Sequence, residues 1–178
     1  MPEPTDEQLI LRVQRGDRAA FEALYRRFRQ PLFAFVVRLV GDPIAAADVY
    51  QEAFLRVLQG AGRYTAGRRF STWLFSIAHH LAVDHLRAIM NRVPVDQVAH
   101  RLTWQGEDPA EQVVRGEGAA AAWQALAELP VEQRAVVLLR VVQGCSQEET
   151  ARITGVAVGT VKSRLHYALA KLRERLTE

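Results

Sequence analysis

Residues 144–176 carry the pattern of two helices joined by a tight turn. Ser146 followed three residues later by Glu149 forms a capping box, in which each residue satisfies a backbone N–H at the start of a helix. Gly155 lies where the chain must turn, because glycine accepts a positive φ without steric cost. The second helix is expected to bury apolar residues spaced by three or four positions: Val161, Leu165, Leu169, Leu172 and Leu176. The pattern predicts a helix-turn-helix.

The opposite face of this second helix is polar at its start and basic further along. It carries Thr160, Lys162, Ser163, His166, Tyr167 and Lys171. Short polar groups followed by cations suit a helix that enters the major groove of DNA. An amphipathic hairpin inside a larger core would show the same spacing. The capping box, the turn glycine and the helix start G-T-V-K-S-R-L favour nucleic-acid binding over that alternative.

The charge is modest and unevenly placed along the 178 residues. The net charge is +3, from 23 basic and 20 acidic side chains, which excludes a charge-dominated binder. Residues 1–90 and 119–178 are each slightly basic, whereas residues 91–118 are acidic. The single cysteine, Cys145, excludes an internal disulfide and any multi-cysteine zinc site. The acidic N-terminus has no apolar signal region, and no apolar run could cross a bilayer, so a cytoplasmic protein without membrane insertion is expected.

The periodicity is helical almost throughout, and it predicts an all-α chain of two small helical domains. Helices are expected after Thr5 or Asp6, after Asp17, after Asp42 and after Ser71, with Pro31 bending or breaking the second. Residues 91–118 lack a sustained period and contain several prolines and glycines, which predicts a flexible linker. The predicted domains are therefore residues 1–90 and 119–178.

Two further features of residues 42–87 are candidates for binding. Asp48, Gln51 and Glu52 share one face of a helix, which is either a solvated face or a docking surface. Residues 63–73 mix cations with aromatic rings, the combination that tracks phosphates and stacks on unpaired bases. The same rings could instead belong to the core and the arginines to a solvated loop, so both interpretations remain open.

A metal or redox site has little support. His80 and Asp84 are four residues apart, a spacing that can hold a metal ion, but no third ligand falls on that face. Cys145 is interpreted as a buried, inert thiol rather than a redox sensor. No metal, cofactor or catalytic residue is predicted, and the chain is expected not to be an enzyme.

Two blocks of sequence together resemble the sigma-70 family of RNA polymerase sigma factors, in its extracytoplasmic-function (ECF) subfamily. The first block contains D-R-A-A-F-E-A-L-Y-R-R-F, A-A-D-V-Y-Q-E-A-F-L-R-V and F-S-T-W-L-F-S-I-A-H-H-L-A-V-D-H-L-R, similar to region two. The second contains L-P-V-E-Q-R-A-V-V-L-L-R, S-Q-E-E-T-A and G-V-A-V-G-T-V-K-S-R-L, similar to region four. The resemblance covers residues 5–90 and 120–176. It departs at His79-His80, where the family usually has Arg-Asn.

The resemblance implies a role for each candidate surface in promoter-specific transcription initiation. The surface that grips the coiled coil of the largest polymerase subunit would contain Asp48, Gln51 and Glu52. The −10 element and the edge of the melted duplex would be contacted by Arg63, Tyr64, Arg68, Arg69, Phe70, Trp73, His80, Asp84 and Arg87. The −35 element would be read by Thr160, Lys162, Ser163, Arg164, His166, Tyr167 and Lys171.

The resemblance also implies partners beyond promoter DNA. Region four would dock on the polymerase flap as well, and an anti-sigma factor would hold the protein inactive. Two alternatives belong to other classes of protein. One is a polymerase-independent regulator that binds duplex DNA alone, and the other is a metal-dependent helical enzyme built on residues 79–85.

Overall fold

The computed structural model describes residues 3–91 and 117–177, and these are helical without any strand. The N-terminal unit contains α1 (Asp6–Val13), α2 (Arg18–Val40), α3 (Pro43–Gly60), a 3₁₀ turn (Ala61–Arg63) and α4 (Phe70–Met90). The C-terminal unit contains α5 (Glu117–Ala127), α6 (Val131–Val137), a π-helical turn (Leu138–Val142), α7 (Gln147–Thr154) and α8 (Val158–Thr177). The all-α prediction with two helical domains is confirmed. Most of the predicted linker, residues 92–116, lies outside the described residues.

Most helix ends follow the local capping signals. Thr5 caps α1 through a capping box with Gln8, and Asp17 accepts a hydrogen bond from the Ala20 N–H at the start of α2. Gly41 ends α2 in the left-handed region, at a φ of 79°. Because these signals act over three or four residues, they were readable from the sequence.

The start of α4 differs from the prediction. The helix begins at Phe70 rather than after Ser71, and its preceding residue, Arg69, provides no side-chain cap. Instead, the Phe70 N–H donates to Oε1 of Glu7 in α1, over 3.1 Å. A free N–H at a helix start can be satisfied by any nearby acceptor, so here a tertiary contact replaces the local cap.

Helix α2 is not interrupted at Pro31, which lies inside its 23 residues. Proline within a helix removes one hydrogen bond and costs about 3 kcal/mol. The helix continues because the following residues are anchored in the core: Leu32, Phe35, Val36 and Leu39 are all fully buried. Burial of several such side chains at about 1.5–3 kcal/mol each exceeds the cost of the proline.

Two apolar residues of α8 that were expected to be buried, Leu169 and Leu176, are exposed. On α8 the side chains that are buried or packed against the core are Val161, Leu165, Ala168 and Leu172, and Leu169 and Leu176 lie beside this stripe. Only Val161 and Ala168 of α8 are buried among the residues described.

The two units pack against each other through a buried arginine. Arg134 of α6 is 3% exposed and donates from Nη1 to the Leu39 carbonyl near the end of α2, over 3.0 Å. Its Nη2 donates to the carbonyls of Ala127 and Leu129, over 2.6 and 3.0 Å. The last carbonyls of a helix lack partners within it and carry partial negative charge. Arg134 therefore joins the carboxyl ends of α2 and α5.

The contact between the units continues around this arginine. The Arg38 guanidinium of α2 lies 3.5 Å from the ring centre of Trp123 in α5. Apolar side chains of both units form one continuous cluster, which includes Leu39 and Phe75 from the N-terminal unit and Leu138 and Ile153 from the C-terminal unit. The described residues therefore form two helical units held together by a shared core.

Candidate nucleic-acid and polymerase interface

Helix α3 presents the carboxylate face that the sequence predicted. Asp48 and Gln51 are exposed, and Glu52 is partly exposed. Glu52 accepts a hydrogen bond from Arg56 Nε one turn further on, over 2.9 Å. The opposite side of the helix is anchored in the core by Val49, Ala53, Phe54 and Val57. The α3 acidic face, defined as Asp48, Gln51 and Glu52, is therefore carried on a helix that is anchored in the core, and it faces solvent.

An apolar groove adjoins this face and was missed by the sequence analysis. It has a volume of about 330 Å³ and is lined by Phe21, Tyr25, Tyr50, Gln51, Phe54, Leu55 and Leu58. Leu55 and Leu58 are 50% and 44% exposed. Leu55 follows Gln51 by four residues, and Leu58 follows Leu55 by three. The helical period could therefore have placed both on the same face as Asp48 and Gln51.

The loop between α3 and α4 is fixed from two sides. Gln14, which follows α1, donates from Nε2 to the carbonyls of Ala61 and Tyr64, both over 2.8 Å. The Tyr64 hydroxyl donates to the Arg68 carbonyl at the other end of the loop. Burial raises the pKa of Tyr64 above its usual range. The exposed arginines are thus carried on a loop of defined shape.

The structure separates the aromatic residues of this region into two groups. Phe70 is fully buried and Tyr64 is 6% exposed, so their rings are closed to a base in this conformation. Trp73 is half-buried, with its ring centre 5.3 Å from that of Tyr64 and 6.1 Å from that of Phe70. Of the two interpretations left open for these rings, burial in the core describes Phe70 and Tyr64. Tyr64 and Phe70 support Trp73, whose partly open ring remains available for stacking.

The predicted polar and charged side chains of this region lie on its surface. Arg63, Arg68 and Arg69 are exposed in the loop. His80, Asp84 and Arg87 are exposed along one face of α4, four and three residues apart. Of these groups, Arg68 and Arg69 lie close to Trp73, because all three side chains line one cavity. His80, Asp84 and Arg87 do not line this cavity.

His79, next to His80, faces inward and is 7% exposed. The pKa of His79 is lowered to about 4, mainly by burial and to a smaller extent by the neighbouring His80, Arg164 and Arg87. In an unfolded chain the pKa is about 6.5. The unfolded chain therefore binds this proton at a higher pH than the folded chain, and stability is lost as the pH falls from about 6.5 toward 4.

We expect the free energy of unfolding to fall by roughly 2 kcal/mol between pH 7.5 and pH 5 because of His79. Urea unfolding of the wild type and of His79→Gln at both pH values measures this contribution, since glutamine does not titrate. His166→Gln, which alters an exposed histidine, is the matched control. An equal loss of stability in the wild type and in His79→Gln would contradict this assignment.

The helix-turn-helix has the predicted local geometry. The capping box of Ser146 and Glu149 is formed, and Gly155 has a φ of 71° after α7. Val136, Ala151 and Val161 form a separate small core that sets the angle between α7 and α8. On α8, the exposed side chains are Lys162, Ser163, His166, Tyr167 and Lys171. Thr160 and Arg164 are partly buried.

The described residues show neither a metal site nor a membrane span. In residues 3–91 and 117–177, no three histidine, cysteine, aspartate or glutamate side chains are grouped to hold a metal ion. Cys145 is partly buried, and burial raises its pKa. In the same part of the chain, every helix is too short or too polar to cross a lipid bilayer.

Comparison with known proteins identifies the family. The family model for sigma-70 region 2 matches residues 24–92, and that for sigma-70 region 4 matches residues 119–172. The RNA polymerase sigma-H factor of Pseudomonas aeruginosa is 35% identical, covering 92% of this chain and 89% of the relative. The ECF RNA polymerase sigma factor SigW of Bacillus subtilis is 30% identical, covering 95% of both chains.

A solved structure supports the same conclusion for the fold. The sigma factor RpoE of Bartonella quintana, solved with the anti-sigma factor NepR, has a TM-score of 0.76 at 25% identity. The match covers 88% of this chain and 96% of that one. The chain belongs to the sigma-70 family, in its extracytoplasmic-function group, whose members direct promoter-specific transcription initiation by RNA polymerase.

Proposed function

We propose that this sigma factor uses three surfaces, one for each task of initiation. The α3 acidic face grips the coiled coil of the largest polymerase subunit. The loop of residues 63–70 and the exposed face of α4 recognise and melt the −10 element. Helix α8 reads the −35 element in the major groove, and its unit also docks on the polymerase flap. The observation that supports this division is that each surface carries exposed polar side chains and lies on a different helix or loop.

The corresponding domain boundaries are residues 1–90 for polymerase docking and −10 recognition, and residues 119–178 for −35 recognition, with residues 91–118 as the linker. The two family models match within these two ranges apart from two residues at 91–92. The protein acts in the cytoplasm as a DNA-recognition factor without catalytic residues, metal or cofactor. An anti-sigma factor is a further partner, as for the sigma factor of Bartonella quintana.

Melting requires that binding energy offset the loss of base stacking, which costs a few kcal/mol for each base removed. Trp73 can recover about 1–3 kcal/mol by stacking on one unpaired base. The arginines of the loop add phosphate contacts. Polymerase holds both units at once, so that two weak DNA contacts act as one tight contact.

A footprinting experiment tests the proposal against a polymerase-independent regulator. Promoter DNA is digested in the presence of the protein alone, of core polymerase alone and of both. We expect protection of the −35 and −10 elements only with both. Protection of duplex DNA by the protein alone, unchanged by polymerase, would favour the regulator.

We expect Trp73→Ala to reduce promoter opening by about tenfold, as measured by permanganate reactivity of unpaired thymines. Trp73→Phe is the matched variant, because a smaller aromatic ring retains part of the stacking. Thermal unfolding of both variants separates this effect from a loss of stability, since the ring also packs against Tyr64 and Phe70. Normal opening by Trp73→Ala would remove Trp73 from the −10 surface.

A further inference from the structure

The first helix of the helix-turn-helix lies on the helix that carries the proposed −10 residues. Helix α7 packs against α4. At one end, the Arg69 guanidinium donates from Nη1 to Oε1 of Glu149 in α7. At the other end, a Cβ placed on Gly155 would be 3.9 Å from Nε2 of His80. Helix α7 therefore extends over α4 from Arg69 to His80.

A cavity of about 260 Å³ lies at this contact, and its lining is strongly basic. The N-terminal unit contributes Arg68, Arg69, Thr72, Trp73 and Ser76, and α7 contributes Arg152. Three guanidinium groups around one cavity repel each other unless an anion lies nearby. In this structure Glu149 supplies a carboxylate to one of the three, Arg69.

The Glu149 carboxylate serves two purposes at once. Its Oε2 accepts a hydrogen bond from the Ser146 N–H, over 2.8 Å, which completes the cap of α7. Its Oε1 accepts from Arg69. The Glu149 side chain is 12% exposed, whereas that of Arg69 is 68% exposed. The carboxylate is therefore held in place by its own helix, and the arginine is the mobile partner.

Carboxylates and phosphates accept hydrogen bonds from arginine in the same forked geometry. Arg69 is one of the groups that the proposed function assigns to the −10 strand. We propose that Glu149 takes the place of a promoter phosphate on Arg69, so that helix α7 and the −10 strand compete for the same surface of α4. This inference rests on the proposed function, because it is that function which places DNA at Arg69.

The competition is weak enough to be reversed by DNA. Solvent screens the ion pair on the side of Arg69, which is exposed. An exposed ion pair changes a binding or folding equilibrium by at most about fivefold. The contact lowers the affinity of the free protein for single-stranded DNA without closing the surface permanently. Separation of the two units frees Arg69 from Glu149 and removes Arg152 from the basic cavity.

The test uses the full chain and short, randomised, fluorescein-labelled single-stranded DNA at low ionic strength. Glu149→Gln removes the charge but keeps the cap, because glutamine also completes a capping box. Glu148→Gln makes the same change at the adjacent exposed position. We expect Glu149→Gln to raise the affinity about two- to fivefold and Glu148→Gln to raise it less than about twofold. Equal effects of the two variants would overturn the proposal.

The single cysteine provides a second measurement without mutation. Cys145 lines a cavity of about 250 Å³ between the units, together with Pro31 and Phe75 of the N-terminal unit and Glu149. Burial raises the pKa of this thiol, so it reacts slowly while α7 stays in place. Saturating single-stranded DNA is expected to speed its reaction with a neutral maleimide. An unchanged or slower reaction would mean that DNA binds without displacing α7, and it would overturn the competition.

Run-off transcription with core polymerase and the same three proteins separates the two possible failures. If the wild type initiates specifically but both variants bind DNA equally, the competition is wrong and the proposed function stands. If the wild type supports no specific initiation, the proposed function is wrong and this inference fails with it.

Discussion

Reversing the charge of the α3 acidic face, by Asp48→Lys together with Glu52→Lys, is expected to lower the affinity for core polymerase by about 100-fold or more. Charged groups at an interface contribute about 2–5 kcal/mol when one partner is removed, and a like charge in its place adds repulsion. Both residues lie on the solvent side of a helix whose other side is anchored in the core. The fold should therefore survive the change. A fluorescence-anisotropy titration of the labelled chain with core polymerase measures the loss.

The control for this variant carries the same change in charge elsewhere. Glu22 on α2 and Glu174 on α8 are both exposed, and Glu22→Lys with Glu174→Lys adds the same four positive charge units to the chain. We expect the control to bind core polymerase with nearly wild-type affinity. If both double variants lose affinity equally, net charge rather than the α3 acidic face governs binding.

Lys162→Ala together with Arg164→Ala is expected to reduce initiation at −35-dependent promoters by about 10- to 100-fold, with core binding nearly unchanged. A well-placed contact to a base contributes about 1–3 kcal/mol of discrimination. Lys162 is exposed at the start of α8, and Arg164 is partly buried two residues later. Run-off transcription from a promoter with an intact or a scrambled −35 element measures the effect. The residual activity of the variant should no longer depend on the −35 sequence.

Arg173→Ala together with Arg175→Ala is the matched control for this variant. It removes two cations from the exposed carboxyl end of the same helix, outside the proposed −35 set. Arg175 pairs with Glu128 over 2.9 Å, but this pair is exposed and adds little stability. Loss of core binding by Lys162→Ala with Arg164→Ala would contradict the assignment of α8 to DNA.

The helices that the sequence predicted best are those whose ends depend on neighbouring residues. The cap at Thr5, the capping box at Ser146 and the turn at Gly155 involve residues within three or four positions, and all three are present. The start of α4 was misplaced because its cap, Glu7, lies 63 residues away. A local pattern carries no information about such a partner.

The candidate site was predictable in its charges and less so in its aromatic residues. Mixed arginines and rings indicated a nucleic-acid surface, but they could not show that Phe70 and Tyr64 are buried while Trp73 is partly open. Periodicity identifies an apolar face without identifying what covers it. The sequence also did not predict the burial of Arg134 between the two units or the ion pair of Arg69 with Glu149, because both contacts join residues far apart in the chain.

The most direct test of the account is run-off transcription from a library of promoter fragments, with bacterial core polymerase, in the presence and absence of this protein. We expect specific transcripts that appear only when the protein is added, and their start sites would define both promoter elements. The absence of such transcripts, together with protection of duplex DNA by the protein alone, would contradict it.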